Sequence, residues 1–334
     1  MPVDAAIARF WETWPELEPA LLKAIAARDA AAYGDLPARI STLVEAIDPA
    51  LRWELGPGET AAHCLTVSAD ADPELRLIAE RWLARAPAPG ADFEHAAARR
   101  PRPSFGIRIE GHDIQPEAML VRTSVDEDHE RLDVEVWHPA FPEMPENLRG
   151  NVTFLMLDGV LGEDGVERWV GAIDVLTSKP WGAKPLTSLA EEVDALKERA
   201  TGDRWAVLRG EVDGKPVFAS VNRAVKRIDH LFCTHRVEVV FTLRDVNEEG
   251  LPGKEELGEL ADLEDELHEA LEALEEGVVF VGTFTRDGTR RLVFYARESS
   301  AAMPAFEAFA ARVAWSTEVV VERDVRWEWL RRFG

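Results

Sequence analysis

Cysteine is nearly absent: Cys64 and Cys233 are the only two among 334 residues. Two distant thiols in strand-like segments make no disulfide scaffold and fit a reducing compartment. No stretch approaches the ~18 consecutive apolar residues that a membrane span requires. The opening Met1-Pro2-Val3-Asp4 lacks the basic region and apolar run of a secretory signal, so the cytoplasm is the expected location. Basic charge is also scarce, with 38 Lys and Arg against 62 Asp and Glu and a formal net charge of -24. A chain this acidic is not drawn to a phosphate backbone or an anionic membrane, and a charged macromolecular partner would be basic. The plainer reading is that the acidity serves solubility.

Catalytic signatures are missing as well. The sequence holds no Gly-x-Ser-x-Gly elbow, Walker loop, Gly-x-Gly-x-x-Gly or His-Glu-x-x-His. Gly56 and Gly58 fall in a turn between strands, without the helix N-terminus that would cradle a phosphate. No cofactor is implied.

What is present is the composition of a globular chain, 46% hydrophobic and 30% charged, long enough for two domains. Ile7, Phe10, Trp11, Trp14, Leu17, Leu21 and Ile25 recur at helical spacing over residues 3–31, with interruptions expected near Pro15 and Pro19. Asp35 is read as the N-cap of a second helix carrying Leu36, Ile40, Leu43, Val44 and Ile47. A hairpin is expected over residues 52–67, and Pro73 opens a helix with Ile78, Ala79 and Trp82. Residues 86–104, rich in Ala, Pro and Arg, read as a connecting loop or internal boundary. Strands are expected at 105–109, 132–138 and 169–176, with a helix over 145–157. Thr177–Leu186, with Pro180, Gly182 and Pro185, marks the domain boundary, giving modules 1–180 and 186–334.

The second module is the clearer one. Asp213-Gly214 and Asp287-Gly288 each sit between strand-like runs, because Asp-Gly supplies the positive φ angles of a tight hairpin. A third strand lies within 229–243. A helix over 255–275 places Leu257, Leu260, Leu263, Leu267, Leu271 and Leu274 on one stripe, and carboxylates elsewhere. A helix over 303–313 and a strand over 315–323 complete the order. This alternation predicts an α+β fold, a ferredoxin-like antiparallel sheet with helices on one face, and a first module that is a diverged version of the same layout.

Four groups of residues could carry chemistry or binding. His230, Cys233 and His235 have types suited to zinc, but a fourth ligand is missing. Cys233 also alternates with His235, Val237, Val239 and Phe241, which makes it a small buried residue of a strand. Glu264 lies between Leu260 and Leu267, where burial would raise its pKa unless an Arg or amide across the sheet holds it ionised. Of the eleven tryptophans, Trp11, Trp14 and Trp82 fall on helix stripes, whereas Trp327 and Trp329 adjoin Arg326, Arg331 and Arg332 in a basic-aromatic end patch. Finally, acidic residues dominate 245–276 while Arg286, Arg290, Arg291 and Arg297 crowd the next hairpin. Either hairpin and helix neutralise each other, or the helix offers its carboxylates to a basic partner.

Asp203-Arg204-Trp205, Asp213-Gly214-Lys215-Pro216, Gly250-Leu251-Pro252, Glu255-Glu256-Leu257, Leu263-Glu264-Asp265, Val281-Gly282, Gly288-Thr289-Arg290, Phe294-Tyr295, Asp324 and Trp327 together resemble the bacterial family known as domain of unknown function 695, over roughly residues 203–334. The resemblance implies a layout similar to the regulator of ribonuclease activity B family, small acidic ferredoxin-like proteins that bind and inhibit an endoribonuclease. It also implies that Glu264, Asp265, Gly282, Arg290 and Tyr295 belong to a shared surface or fold constraint. The expected function is a non-enzymatic binding or regulatory protein acting on a basic partner such as a nuclease. One alternative is an enzyme of unfamiliar type using Glu264, Arg290, Tyr295 and His235, and another is a sensor of small aromatic ligands.

Overall fold

The computed structural model describes residues 1–102, 105–274 and 277–333. The end of the expected 86–104 loop, Glu275 and Glu276 of the acidic segment, and Gly334 lie outside them. The fold is α+β, in two compact units. Unit one is formed by residues 1–124 and 132–194, unit two by 125–131 and 195–334.

Unit one begins with helices α1 (Val3–Ala27) and α2 (Leu36–Ile47). Contrary to the sequence expectation, α1 runs unbroken through Pro15 and Pro19. Both prolines are exposed and one turn apart, so their rings lie on the solvent side of the helix. On the opposite side Ile7, Phe10, Trp14, Leu17 and Leu21 are buried and hold the helix down. Asp35 precedes α2 but makes no side-chain cap, whereas Asp72 caps α3 (Pro73–Leu83) by accepting from the N–H groups of Glu74 at 2.8 Å and Leu75 at 3.2 Å.

Strands β1 (Arg52–Pro57) and β2 (His63–Ser68) form the expected hairpin, with β3 (Phe93–Ala96) parallel to β2. β3 lies inside the segment expected to be a loop, because all four of its residues are buried and no alternation betrays it. The rest of the unit carries β4 (Ile107–Ile109), β5 (His112–Ile114), most of β6 (Leu120–Asp126) and of β7 (Arg131–Trp137), α4 (Glu146–Leu161), α5 (Glu163–Trp169), β8 (Val170–Leu176), β9 (Lys184–Pro185) and the start of α6 (Leu189–Lys197). Its second sheet has the order β8-β7-β6-β9, with β7 and β8 parallel. The Thr177–Leu186 segment lies within this unit and supplies the short edge strand β9.

Unit two is built on one antiparallel sheet. Its strands are β10 (Trp205–Val212), β11 (Lys215–Asn222), β12 (His235–Thr242), β13 (Val278–Arg286), β14 (Thr289–Ala296) and β15 (Thr317–Arg323), in the order β10-β11-β13-β14-β12-β15. Both Asp-Gly pairs make the expected tight turns, with φ of 53° and 75° at Asp213 and Gly214, and 47° and 73° at Asp287 and Gly288. Helix α7 (Lys254–Glu272) joins β12 to β13, and α8 (Ala302–Arg312) joins β14 to β15, so residues 235–323 run β-α-β-β-α-β with the pairing order β13-β14-β12-β15. The sheets of unit one are smaller and differently ordered, an antiparallel β4-β5 pair and two mixed sheets.

Two cores flank this sheet. Leu260, Leu267 and Leu271 of α7 and Phe306 and Phe309 of α8 pack on Val237, Val239, Phe241, Leu292 and Phe294. On the other face Val281, Val293 and Tyr295 meet Cys233, Trp327 and Trp329, the last of these on the terminal helix α9 (Glu328–Arg331). Alternation along β14 sends even residues to one core and odd residues to the other.

Candidate functional site

The acidic helix presents a specific surface. In its first turn Glu256 faces inward, where its carboxylate accepts the N–H groups of Arg244 at 2.5 Å and Asp245 at 3.4 Å. That orientation turns Leu257, about 100° further round, into solvent at 42% exposure, so Leu257 is not on the buried stripe as expected. The outer face then carries Glu255, Glu259, Asp262, Asp265, Glu269 and Glu272, all exposed. Glu259 meets Arg244 at 3.5 Å, and the neighbouring Glu266 pairs with Arg312. Among the described residues Glu255, Asp262, Asp265, Glu269 and Glu272 have no ion-pair partner. Their spacing of three, four and seven aligns them along a face about 26 Å long.

The arginines of the following hairpin do not neutralise this face. Arg286 binds Asp213 at 2.7 Å, Arg291 binds Glu238 at 2.5 Å, and Arg297 lies 5.1 Å from the centre of the Phe232 ring. Among the described residues only Arg290 of the four reaches α7, where its Nε donates to Glu264 Oε1 at 2.5 Å. That pair is inward of the exposed carboxylates, with side chains 18% and 16% exposed.

The proposed enzymatic set does not converge. Glu264 and Arg290 sit on the helix side of the sheet, and Arg290 is further held by Thr285 Oγ1 at 3.2 Å. Tyr295 lies in the opposite core, fully buried, stacked on Trp327 with ring centres 4.1 Å apart and its hydroxyl donating to Asp324 Oδ2 at 2.7 Å. Burial, reinforced by the Asp324 carboxylate, pushes its phenol far above the ordinary value. His235 Nδ1 lies 3.1 Å from Thr234 Oγ1 at the start of β12.

The zinc-type residues are likewise separate in role. Cys233 does not continue the strand alternation: its N–H closes a turn onto His230 O at 2.9 Å, and this drops the side chain into the core opposite Val237 and Val239. There its Sγ donates to Gly277 O at 3.0 Å, and burial pushes the thiol up to about 11. His230 lies parallel to Trp327 at 6.1 Å, with burial lowering its pKa. Among the described residues no three His, Cys, Asp or Glu side chains are grouped to hold a metal ion. The end patch of Trp327 and Trp329 is not an aromatic surface, since both rings are buried and Trp327 Nε1 donates to Cys233 O at 2.9 Å. Trp11, Trp14 and Trp82 are core residues, as their stripes implied.

Unit one holds a charged cluster that sequence reading passed over. Arg99 Nη1 donates to Glu163 at 2.9 Å, Asp70 at 3.0 Å and Asp158 at 3.3 Å, and Glu163 also accepts from Ser68 Oγ at 2.5 Å. Nearby, Arg76 binds Asp164 at 2.5 Å and Glu80 at 2.8 Å. Burial, then the adjacent Glu163 charge, raises the Asp158 carboxyl to about 7 against the opposing pull of Arg99; burial raises Glu163 as well. Arg76, Glu80, His95, Arg99 and Asp164 line part of a cavity of about 340 Å3. His95 is 8% exposed, its Nε2 has no partner among the described residues, and burial brings its pKa down to about 4. The available signal was Arg99-Arg100-Pro101-Arg102, three cations in four positions of a supposed loop; their carboxylates come from positions 54–163, which no local pattern links.

No curated protein and no solved structure matches the chain. Among the described residues no helix is long and apolar enough to cross a membrane. The antiparallel sheet, the Glu264–Arg290 pair and the Tyr295–Asp324–Trp327 stack all fall within the one stretch that is similar to a known family. Residues 203–333 match the family of unknown function DUF695, and this segment is a DUF695 domain.

Proposed function

We propose that the protein is a non-enzymatic binding or regulatory protein that engages a basic protein, of which a nuclease is one class, through the outer face of α7. The observation that carries the reading is the row of Glu255, Asp262, Asp265, Glu269 and Glu272, exposed and unpaired among the described residues while the neighbouring arginines are committed elsewhere. Like charges held along a rigid helix repel one another at a small cost that a cationic groove would relieve. We read the β-α-β-β-α-β part of the unit as ferredoxin-like, a sheet that holds α7 from beneath and leaves its acidic side free. Two free, buried cysteines suit a cytoplasmic setting.

The test is affinity purification with the full chain and with a variant carrying Gln or Asn at those five positions. A basic protein retained by the wild type, released by moderate salt and absent from the variant supports the proposal. Identical retained proteins in both cases would overturn it. A second reading, small-ligand sensing by unit one, draws on the cavity beside Arg76, His95 and Arg99. Thermal-shift screening against polar metabolites tests it, because a ligand specific to the native state raises the melting temperature.

A further inference from the structure

Among the described residues strand β10 has a neighbour on one side only, β11. Their hairpin closes at Asp213-Gly214 with Val212 opposite Lys215, so the backbone groups of Val212, Gly210, Leu208 and Ala206 point toward β11. Those of Glu211, Arg209, Val207 and Trp205 point outward, and among the described residues they bond no other backbone. Natural sheet edges are blunted by charges, most effectively of one sign, and by Pro, bulges or short length, whereas the two charges of β10, Arg209 and Glu211, are of opposite sign. β10 runs eight residues without Lys or Pro and in unbroken register. Within the segment nearest the turn it also exposes Val212 at 42%. The opposite edge, β15, is guarded by Glu318 and Glu322.

The edge is complementary to itself. Placing a two-fold axis at Gly210 sets two copies of β10 antiparallel, with outward-bonding residues opposite one another. Arg209 then faces Glu211 of the second copy, Glu211 faces the second Arg209, and Leu208 faces the second Val212. Moving the axis to Arg209 would set arginine against arginine, and moving it to Leu208 would set Arg209 against Val207 and Glu211 against Trp205, so of these three the register centred on glycine is the one that pairs opposite charges. Neither side chain is otherwise committed to a salt bridge among the described residues; Arg209 rests over the Phe218 ring at 5.4 Å, and Glu211 is exposed.

We propose that β10 is a homodimer edge, joining two copies of this chain into a continuous antiparallel sheet through residues 208–212. The Arg209 and Glu211 pairs set the register, and backbone hydrogen bonds supply the adhesion.

Sedimentation velocity and light scattering over about two decades of micromolar concentration test it, with four forms of the full chain. Wild type is expected at twice the monomer mass. Arg209→Glu alone or Glu211→Arg alone sets like charges opposite one another twice and is expected to weaken association at least tenfold. The double variant R209E/E211R restores opposite charges and is expected to dimerise as wild type does. An equimolar mixture of the two single variants is expected to form a mixed dimer, since every facing pair is then complementary. A monomeric wild type, dimeric single variants, or failure of the double variant or of the mixture to recover the dimer would each overturn the proposal.

Discussion

Replacing Asp158 by Asn removes the one carboxyl in unit one whose ionisation the fold most resists. Its side chain is 15% exposed, it lies 3.3 Å from Arg99, and that guanidinium is already shared with Asp70 and Glu163. Burial and the neighbouring Glu163 charge raise the carboxyl from an ordinary 3.8 to about 7. Because the native chain holds this proton more tightly than the unfolded one, its contribution to stability is fully present below pH 3.8 and is lost as pH rises to 7. At ~1.4 kcal/mol for each tenfold change in proton affinity, the loss is about 4 kcal/mol. The Asn side chain has the same shape and does not titrate there. Asp158→Asn should therefore gain on the wild type steadily from about pH 4 to pH 7 and hold a constant advantage above that. The assay is hydrogen exchange of the α4 and α5 amides, corrected for the pH dependence of the intrinsic rate, which reports on this unit without assuming one global transition. A wild type-to-variant difference that stays flat across that range, or grows toward low pH, would refute the placement of the proton.

Leu267→Ala, at a fully buried position between α7 and the sheet, should cost about 3 kcal/mol in urea unfolding of unit two. Gly282→Ala should destabilise the same unit, because a Cβ there falls 2.3 Å from Ser220 O and 2.9 Å from Val221 Cγ1 beside the irregularity in β13; a lowered melting temperature checks it. Tyr295→Phe leaves Asp324 without its hydroxyl donor and should cost about 1–2 kcal/mol, read as faster hydrogen exchange at Glu328 and Trp329, whose N–H groups Asp324 also accepts.

The sequence was most legible where local chemistry and tertiary packing agree. Asp213-Gly214 and Asp287-Gly288 located both hairpins because few other dipeptides adopt two successive positive φ angles cheaply. The position of Glu264 between Leu260 and Leu267 called for an arginine or amide across the sheet, and Arg290 is that partner. Legibility failed where long-range contacts override local preference. Packing beneath α1 outweighs Pro15 and Pro19, burial on all sides conceals β3, and a turn at His230–Cys233 moves the thiol to the opposite face from Val237.

The sequence alone determined the α+β class, the acidity and the carboxylate-bearing helix, because residue type, period and turn chemistry are properties of short stretches of chain. Only the tertiary structure decided which charges remain free. Arg286 and Arg291 turn to Asp213 and Glu238 instead of α7, and Arg99 gathers carboxylates distant in sequence into one buried cluster. Electrostatic partnership depends on distance and desolvation in space, which spacing along the chain does not encode.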